Sequence, residues 1–264
     1  MLRLLLTLSL TLLLLACSSD DIPPPIVEEE AAKPKAEVVI SFDDALVNSW
    51  HANRDIFNNF NVKVTFFITR FGSDIVNNPD RKVYAKFQDI VADGHEIAFH
   101  GTHHSNARTL FDDGWTFEDY YKAEIEPAMT MMKEYGLNPT TFAYPYGRDV
   151  PEWTEKLKAT FARVRDFTSH SVDGEFYVRH RFYNDDFLKV GFSIDQHKLD
   201  FDELALVLDD LAQNGGTLVL ATHLITESRS DNQWSISRDD LIELLSMIQN
   251  RDISIVTFKD ASFH

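Results

Sequence analysis

The chain has 264 residues, with 42 acidic residues against 25 Lys and Arg and a formal net charge of −17. Such a surface repels polyanions, which excludes nucleic acid as a natural partner and leaves neutral or cationic polymers as easier ligands. A single cysteine excludes internal disulfides.

Residues 1–16 carry one positive charge, Arg3, and then a Leu-rich run ending Leu14-Leu15-Ala16-Cys17. This pattern predicts a secretory signal, too short for a comfortable membrane span. The small residue before the cysteine resembles the lipobox of bacterial lipoproteins, and that resemblance implies a cell-envelope protein, periplasmic or surface-displayed, anchored to the membrane by lipid on Cys17. Losing residues 1–16 removes Arg3 and no acid, so the remainder is one unit more negative. Residues 17–36 hold Pro23-Pro24-Pro25, Glu28-Glu29-Glu30 and Pro34 with little to bury, and are predicted to be a tether. Residues 37–264 show no repeat and no second linker, and their length suits one domain.

The first predicted strand, Glu37–Phe42, runs directly into Asp43-Asp44, two carboxylates placed where an apolar strand stops. A helix is expected over about 49–60 and a buried strand over Val62–Thr69. Val83, Phe87, Ile90 and Val91 fall at helical spacing, and Gly94 stops that helix. His95 to His100 alternates and reads as a strand, and His104 follows in a polar loop. His95, His100, His103 and His104 are four of the ten histidines in the chain, a density that points to a metal site. The second histidine falls one residue late for the zinc-protease helix H-E-x-x-H, and that reading is rejected.

Phe117–Tyr135 is predicted to be one helix, with Thr116 as N-cap, Met129, Met131 and Met132 as core filler, and Gly136 as its end. The strand Thr140–Tyr144 ends in the turn Pro145-Tyr146-Gly147, and Pro151 opens the next helix. Ala162–Phe167 and Val190–Ile194 are weaker strands; between them Arg179-His180-Arg181 reads as a solvated charge cluster. An amphipathic helix over Phe201–Asn214 is closed by Gly215-Gly216, and the apolar strand Thr217–Thr222 ends in His223. Ser237 caps a last helix, and Ile253–Phe258 is the last strand.

Strands alternating with helices predict an α/β fold with a mainly parallel sheet, and about seven such units favour closure into a barrel, with ligands at the carboxyl ends of the strands. Asp43-Asp44, His100 with His104, Pro145-Tyr146 and His223 all stand at such ends. One carboxylate and two imidazoles leave a place open for water on a divalent ion, best zinc by ligand type, with cobalt, nickel or iron as alternatives. The second carboxylate can be a base, a backbone N–H at the Pro145-Tyr146 turn can face an oxyanion, and His223 can be an acid. The class suggested is metal-assisted hydrolysis of an amide or ester.

Ser41-Phe-Asp-Asp44, His100-x-x-x-His104, Phe142-Ala-Tyr-Pro-Tyr-Gly147 and Leu218-x-Leu-x-x-His223 resemble, in order and spacing, the motifs of the polysaccharide deacetylase family, carbohydrate esterase family 4, with its NodB-homology domain. The resemblance implies a distorted (β/α) barrel of about seven parallel strands in a single domain. It also implies Asp43 as general base, Asp44, His100 and His104 as metal ligands, the Tyr146 N–H beside Pro145 in the oxyanion hole, His223 as acid, and an acetylated polysaccharide as substrate. An N-acetyl or O-acetyl linkage, a non-carbohydrate amide, or glycan binding without turnover all stay open at this point. Two departures stand out. Many members carry an arginine, which holds the catalytic aspartate, where this chain has Ala143. The Asp-Trp pair that orients the acid histidine is not visible, with Asp166, Asp173 and Asp195 as candidates for the carboxylate. Loss of such supports costs about 10–100-fold.

Overall fold

A computed structural model describes residues 35–72, 82–168 and 187–263, and residues 33–264 group into one compact unit. Cys17, the rest of the signal and tether up to residue 34, and Arg179-His180-Arg181 lie outside the described residues. Seven stretches form parallel strands: β1 (Ala36–Asp44), β2 (Thr65–Ile68), β3 (Glu96–Phe99), β4 (Thr141–Ala143), β5 (Arg163–Thr168), β6 (Leu188–Ser193) and β7 (Gly216–Thr222). They pair in sequence order, and β7 returns to β1 from Ala36↔Gly216 to Phe42↔Thr222, which closes the barrel. The expected fold is the observed one, with β1 opening at Ala36, one residue before the expected start of the domain.

Past β7 the chain adds a small parallel pair, β8 (Leu224–Thr226) with β9 (Ser235–Ser237), which the sequence pattern did not anticipate. A short β10 (Ser254–Val256) pairs with the first half of β1, from Glu37↔Ser254 to Val39↔Val256, while β2 pairs with the second half, from Ser41↔Thr65 to Asp44↔Ile68. Two strands sharing one edge of β1 is the distortion of the barrel.

Among the described residues the α-helices are α1 (Val47–Ala52), α2 (Arg54–Asn59), α3 (Lys82–Ala92), α4 (Ala107–Asp112), α5 (Phe117–Tyr120), α6 (Glu126–Glu134), α7 (Pro151–Leu157), α8 (Phe201–Asn214) and α9 (Arg238–Gln249). Three caps are those the sequence proposes. Thr116 and Asp119 form a capping box, Ser237 accepts the Asp240 N–H, and Gly215 closes α8 with φ 73°. The helix expected over 117–135 is one element no longer. A wide π turn, Tyr121–Ile125, separates α5 from α6, and Pro127 in the first turn of α6 explains it, because proline has no N–H to give to the carbonyl four residues back.

Strand alternation sorts the side chains into two cores. Outward, Ile40, Phe42, Phe66, Phe99, Phe142 and Leu220 pack against the helices, with Trp50, Phe57, Leu208 and Leu244 among their partners; each such side chain fully buried contributes about 1.5–3 kcal/mol. Inward, Val39, Phe67, Ala98, Ala143 and Val219 fill the barrel, and Phe258 and Ala261 of the C-terminal segment plug its floor. The same inward rows carry polar residues above and below this apolar middle. Glu37 and Glu96 lie at the floor. Asp43, His100 and Arg165 lie at the rim.

Candidate metal centre and active site

Asp43 and Asp44, adjacent at the end of β1, face different partners. Asp43 is buried, and both its oxygens accept from Arg165 Nη2 at 2.5 Å. Asp44 turns away through a left-handed backbone, φ 88°, and its Oδ1 lies 3.1 Å from His104 Nε2 and 3.9 Å from His100 Nε2. His104 is left-handed too, at φ 65°. Backbone of this kind in a residue other than glycine is strained and persists only where the surroundings impose it.

Asp44, His100 and His104 each offer one ligand atom, and these atoms all lie within 4.8 Å of one another. Their chemical state suits a divalent cation. His100 Nδ1 donates to the Ala143 carbonyl at 2.8 Å, which turns Nε2 toward the site, and burial above all lowers its pKa to about 4, so the imidazole is neutral. Burial raises the Asp44 pKa, but the hydrogen bond from His104 and the positive charges that His100, His223 and His104 carry in the acid range where a carboxyl titrates outweigh it and hold the carboxyl well below the usual range. Of the four clustered histidines, only two belong to this set. His95 is a core residue that accepts the Val64 N–H at 3.1 Å between the rings of Phe57 and Phe66, and burial lowers its pKa to about 4. His103 is exposed and contributes its backbone.

That backbone is held by Glu124, a buried residue of the π turn that the sequence did not point to. His103 N–H and the Ser105 hydroxyl donate to its carboxylate at 3.0 and 2.6 Å, and Thr102 donates N–H and hydroxyl to its carbonyl at 2.9 and 3.0 Å. One residue thereby orders the loop between His100 and His104.

The Pro145-Tyr146-Gly147 turn faces the same cavity. Tyr146 has φ 62° and its ring stands 4.6 Å from that of His104. At Gly147, φ 57°, a Cβ would fall 2.1 Å from the Phe167 carbonyl oxygen, so only glycine lets the turn lie against β5. His223 closes the opposite side. Its Nδ1 is 3.2 Å from both oxygens of Asp195, which also accept from the hydroxyls of Thr222 at 2.7 Å and Ser193 at 3.0 Å. Trp50 of α1 donates to the His223 carbonyl at 2.8 Å and fixes its backbone. Burial, the largest influence on His223, lowers its pKa, yet the bond and charge of Asp195 and the charges of Asp43 and Asp44 raise it to about 9. Asp43, Asp44, His100, His104, Tyr146 and His223 all line one cavity of about 630 Å³.

Both departures noted in the sequence are made good from other strands. Ala143 is paired in register with Arg165 of the next strand, so the guanidinium reaches Asp43 from one strand further round the barrel. The interior is emptied to admit it: a Cβ on Gly191 would come within 2.9 Å of Arg165 Cδ and Nη1, and the guanidinium lies over the Phe67 ring at 4.8 Å. Of the three carboxylates considered for orienting His223, Asp195 is the one bonded to it. Asp166 instead accepts its neighbour's N–H, from Phe167, and burial lifts its pKa to about 6; Asp173 lies outside the described residues.

A family model described as polysaccharide deacetylase matches residues 30–164, just over half of the chain. The chain belongs to the polysaccharide deacetylase family. No curated protein matches the chain significantly. Among solved structures it is similar to a family 4 acetyl xylan esterase from Clostridium thermocellum in complex with a cobalt ion (17% identity, TM-score 0.52, covering 85% of this chain and 89% of that one). It is also similar to the catalytic domain of a peptidoglycan N-acetylglucosamine deacetylase from Eubacterium rectale (12%, 0.52, covering 89% and 97%). A third is a family 4 pseudoenzyme from Bacillus anthracis (12%, 0.55, covering 87% and 66%). These identities carry the fold alone. The polysaccharide deacetylase match ends at residue 164; Arg165 of β5, Asp195 after β6 and His223 after β7 are brought to the site by the pairing of those strands.

Proposed function

We propose that the protein is a metal-dependent hydrolase that removes N-acetyl groups from an extracellular or cell-wall polysaccharide. The observation that carries this reading is the arrangement of Asp43, Asp44, His100, His104 and His223 around one cavity, with Asp43 and His223 each held by a buried opposite charge. Asp44, His100 and His104 would hold the ion, zinc by preference of donors and otherwise cobalt, nickel or iron. When bound there, such an ion supplies Lewis-acid activation of water and of the acetyl carbonyl.

The chain supplies the remaining groups. Asp43, fixed by Arg165, is placed to take the proton of the attacking water. The Tyr146 N–H, beside Pro145, is presented by the strained turn toward the oxyanion. Asp195 occupies Nδ1 of His223 and leaves Nε2 to give a proton to the departing nitrogen, and a pKa of about 9 keeps that proton available at neutral pH. An O-acetyl substrate would use the same groups but depend less on His223, because an alkoxide on an activated ester leaves more readily than an amine. Glycan binding without turnover drew its support from Ala143. With Arg165 bonded to Asp43, no described residue favours that reading.

An acetate-release screen over chitin oligomers, peptidoglycan, poly-N-acetylglucosamine and acetylxylan, with defined metals, tests the proposal. Release from an N-acetylated glycan is expected; release from none, by metal-loaded and folded protein, contradicts it. We also propose that lipid on Cys17 holds the protein to the membrane in the cell envelope. Cys17→Ser should move it to the soluble fraction, and continued membrane association would refute the anchor.

A further inference from the structure

We propose that Trp234 is the platform on which the sugar ring bearing the acetylated nitrogen lies, and so the residue that binds the leaving-group side of the substrate. This rests on the functional reading above and extends it to a part of the cavity that the reaction groups do not occupy.

Chemistry fixes where the ring must be. The bond to be broken joins the acetyl carbon to a nitrogen. The carbon belongs beside Asp44, His100, His104 and the Tyr146 N–H, and the nitrogen within reach of His223. The ring carrying that nitrogen therefore extends past His223, away from the ligand set. Trp234 stands beside His223. Its indole lies 5.5 Å from the His223 ring at 70°, it lines the same cavity, and half of it is exposed. Tyr146, the other exposed aromatic of the cavity, lies against His104 and so belongs to the acetyl side. A half-exposed indole in a cavity wall is apolar surface that the apolar face of a pyranose can cover, while its edge remains in water.

The indole is set in place before any substrate arrives. The Trp234 backbone N–H donates to Asn232 Oδ1 at 3.0 Å, and the Ser235 hydroxyl donates to the Asn232 carbonyl at 2.7 Å. The Gln196 side-chain amide donates to the carbonyls of Ser230 and Asn232 and accepts the Ser230 N–H at 3.1 Å, and the Gln196 backbone N–H donates to the Ser235 carbonyl at 2.7 Å. His197 Nδ1 donates to the Gln233 carbonyl at 2.6 Å, and its ring stands 5.2 Å from the indole. The loop that carries Trp234 is thus tied to Gln196 and His197, next in sequence to Asp195, the carboxylate that orients the acid. Platform and acid share one support, and a rigid aromatic gives up little conformational freedom on binding.

The test measures binding apart from turnover. Metal-loaded Asp43→Asn, which keeps the cavity but lacks the base, is titrated calorimetrically with an N-acetylglucosamine pentamer, alone and combined with Trp234→Ala or Trp234→Phe. In parallel, kcat and KM are measured for the wild type, Trp234→Ala and Trp234→Phe. The platform predicts that Trp234→Ala weakens binding and raises KM by at least about tenfold, that Trp234→Phe recovers most of this, and that the alkaline limb of the pH profile stays in place. An unchanged Kd and KM overturns it. A fall in kcat alone with a displaced alkaline limb also overturns it, because the indole would then be acting on His223 rather than on the sugar. A wild type that releases acetate from no glycan contradicts the functional reading and takes the platform with it, whereas an active wild type with an unaffected Trp234→Ala removes the platform only.

Discussion

Buried carboxylates stand at both ends of the barrel interior, and their surroundings differ. At the floor, Glu96 accepts from the hydroxyls of Thr65 and Thr141 at 2.9 and 2.5 Å and from the Lys259 N–H at 2.9 Å. Glu37 pairs with Lys35 and accepts from the N–H and hydroxyl of Ser262 at 2.7 and 2.5 Å. Arg163 Nη1 donates to the carbonyls of Phe258 and Ala261 at 2.9 Å, so the C-terminal segment is tied down by charge from below. At the rim, Arg165 holds Asp43 and the imidazoles of His100 and His104 approach Asp44, but both carboxylates also line an open cavity. The cost of burying charge is met in both layers. What distinguishes the site is the side left open, and burial or a perturbed pKa alone would have marked Glu96 as readily as Asp44.

The contrast can be broken from the rim downward. Asp44→Asn should lose both bound metal and acetate release while the chain stays folded; metal content by elemental analysis beside a thermal melt checks it. Retained metal would mean that the centre lies elsewhere. Arg165→Met leaves Asp43 buried without its partner and should destabilise by about 3–5 kcal/mol, and adding Asp43→Asn should restore most of that. If single and double variants melt alike, the pair does not carry the energy assigned to it.

Asp195→Asn removes the charge that raises His223. In the wild type, a folded pKa of about 9 against an ordinary 6.5 contributes stability that is fully present below about pH 6.5 and is lost as pH rises through about 9. The variant, free of metal, should show a flatter melting profile across that window, and its alkaline activity limb should move down toward 6.5 with a loss of about 10–100-fold. An unmoved limb would separate Asp195 from the acid. The smallest effect on function is expected at the floor, where Glu96→Gln should cost about 1–3 kcal/mol through its disrupted hydrogen bonds and leave kcat/KM unchanged. A matching loss of activity there would erase the distinction between the layers.

The cluster of Asp44, His100 and His104 was legible because it is local. Two aspartates are adjacent, His100 and His104 are four residues apart, and each group follows an apolar strand. The supports were not, because they depend on register between distant strands. Arg163-Val-Arg165-Asp166 reads like a half-exposed edge, and only the pairing of Ala143 with Arg165 and the empty space at Gly191 turn that arginine into the barrel. Asp195 was one of three candidates, since sequence cannot say which carboxylate lies beside His223. Trp234 gave no signal, as its loop closes on Gln196 through side-chain bonds between segments about thirty-five residues apart. The π turn at Tyr121–Ile125 had one visible cause, Pro127, in a stretch otherwise periodic as a single helix. The floor was hidden for the same reason as Arg165, because inward-facing charges look solvent-facing until the barrel closes.

The division of labour between the adjacent aspartates is the centre of this account, and Asp43→Asn tests it directly. The isosteric amide removes the base while leaving Asp44, His100 and His104 untouched. Metal titration of the variant should give one ion per chain with wild-type affinity, while acetate release falls by about 10²–10⁴-fold. Loss of the ion in Asp43→Asn, or activity within a few-fold of the wild type, would contradict it.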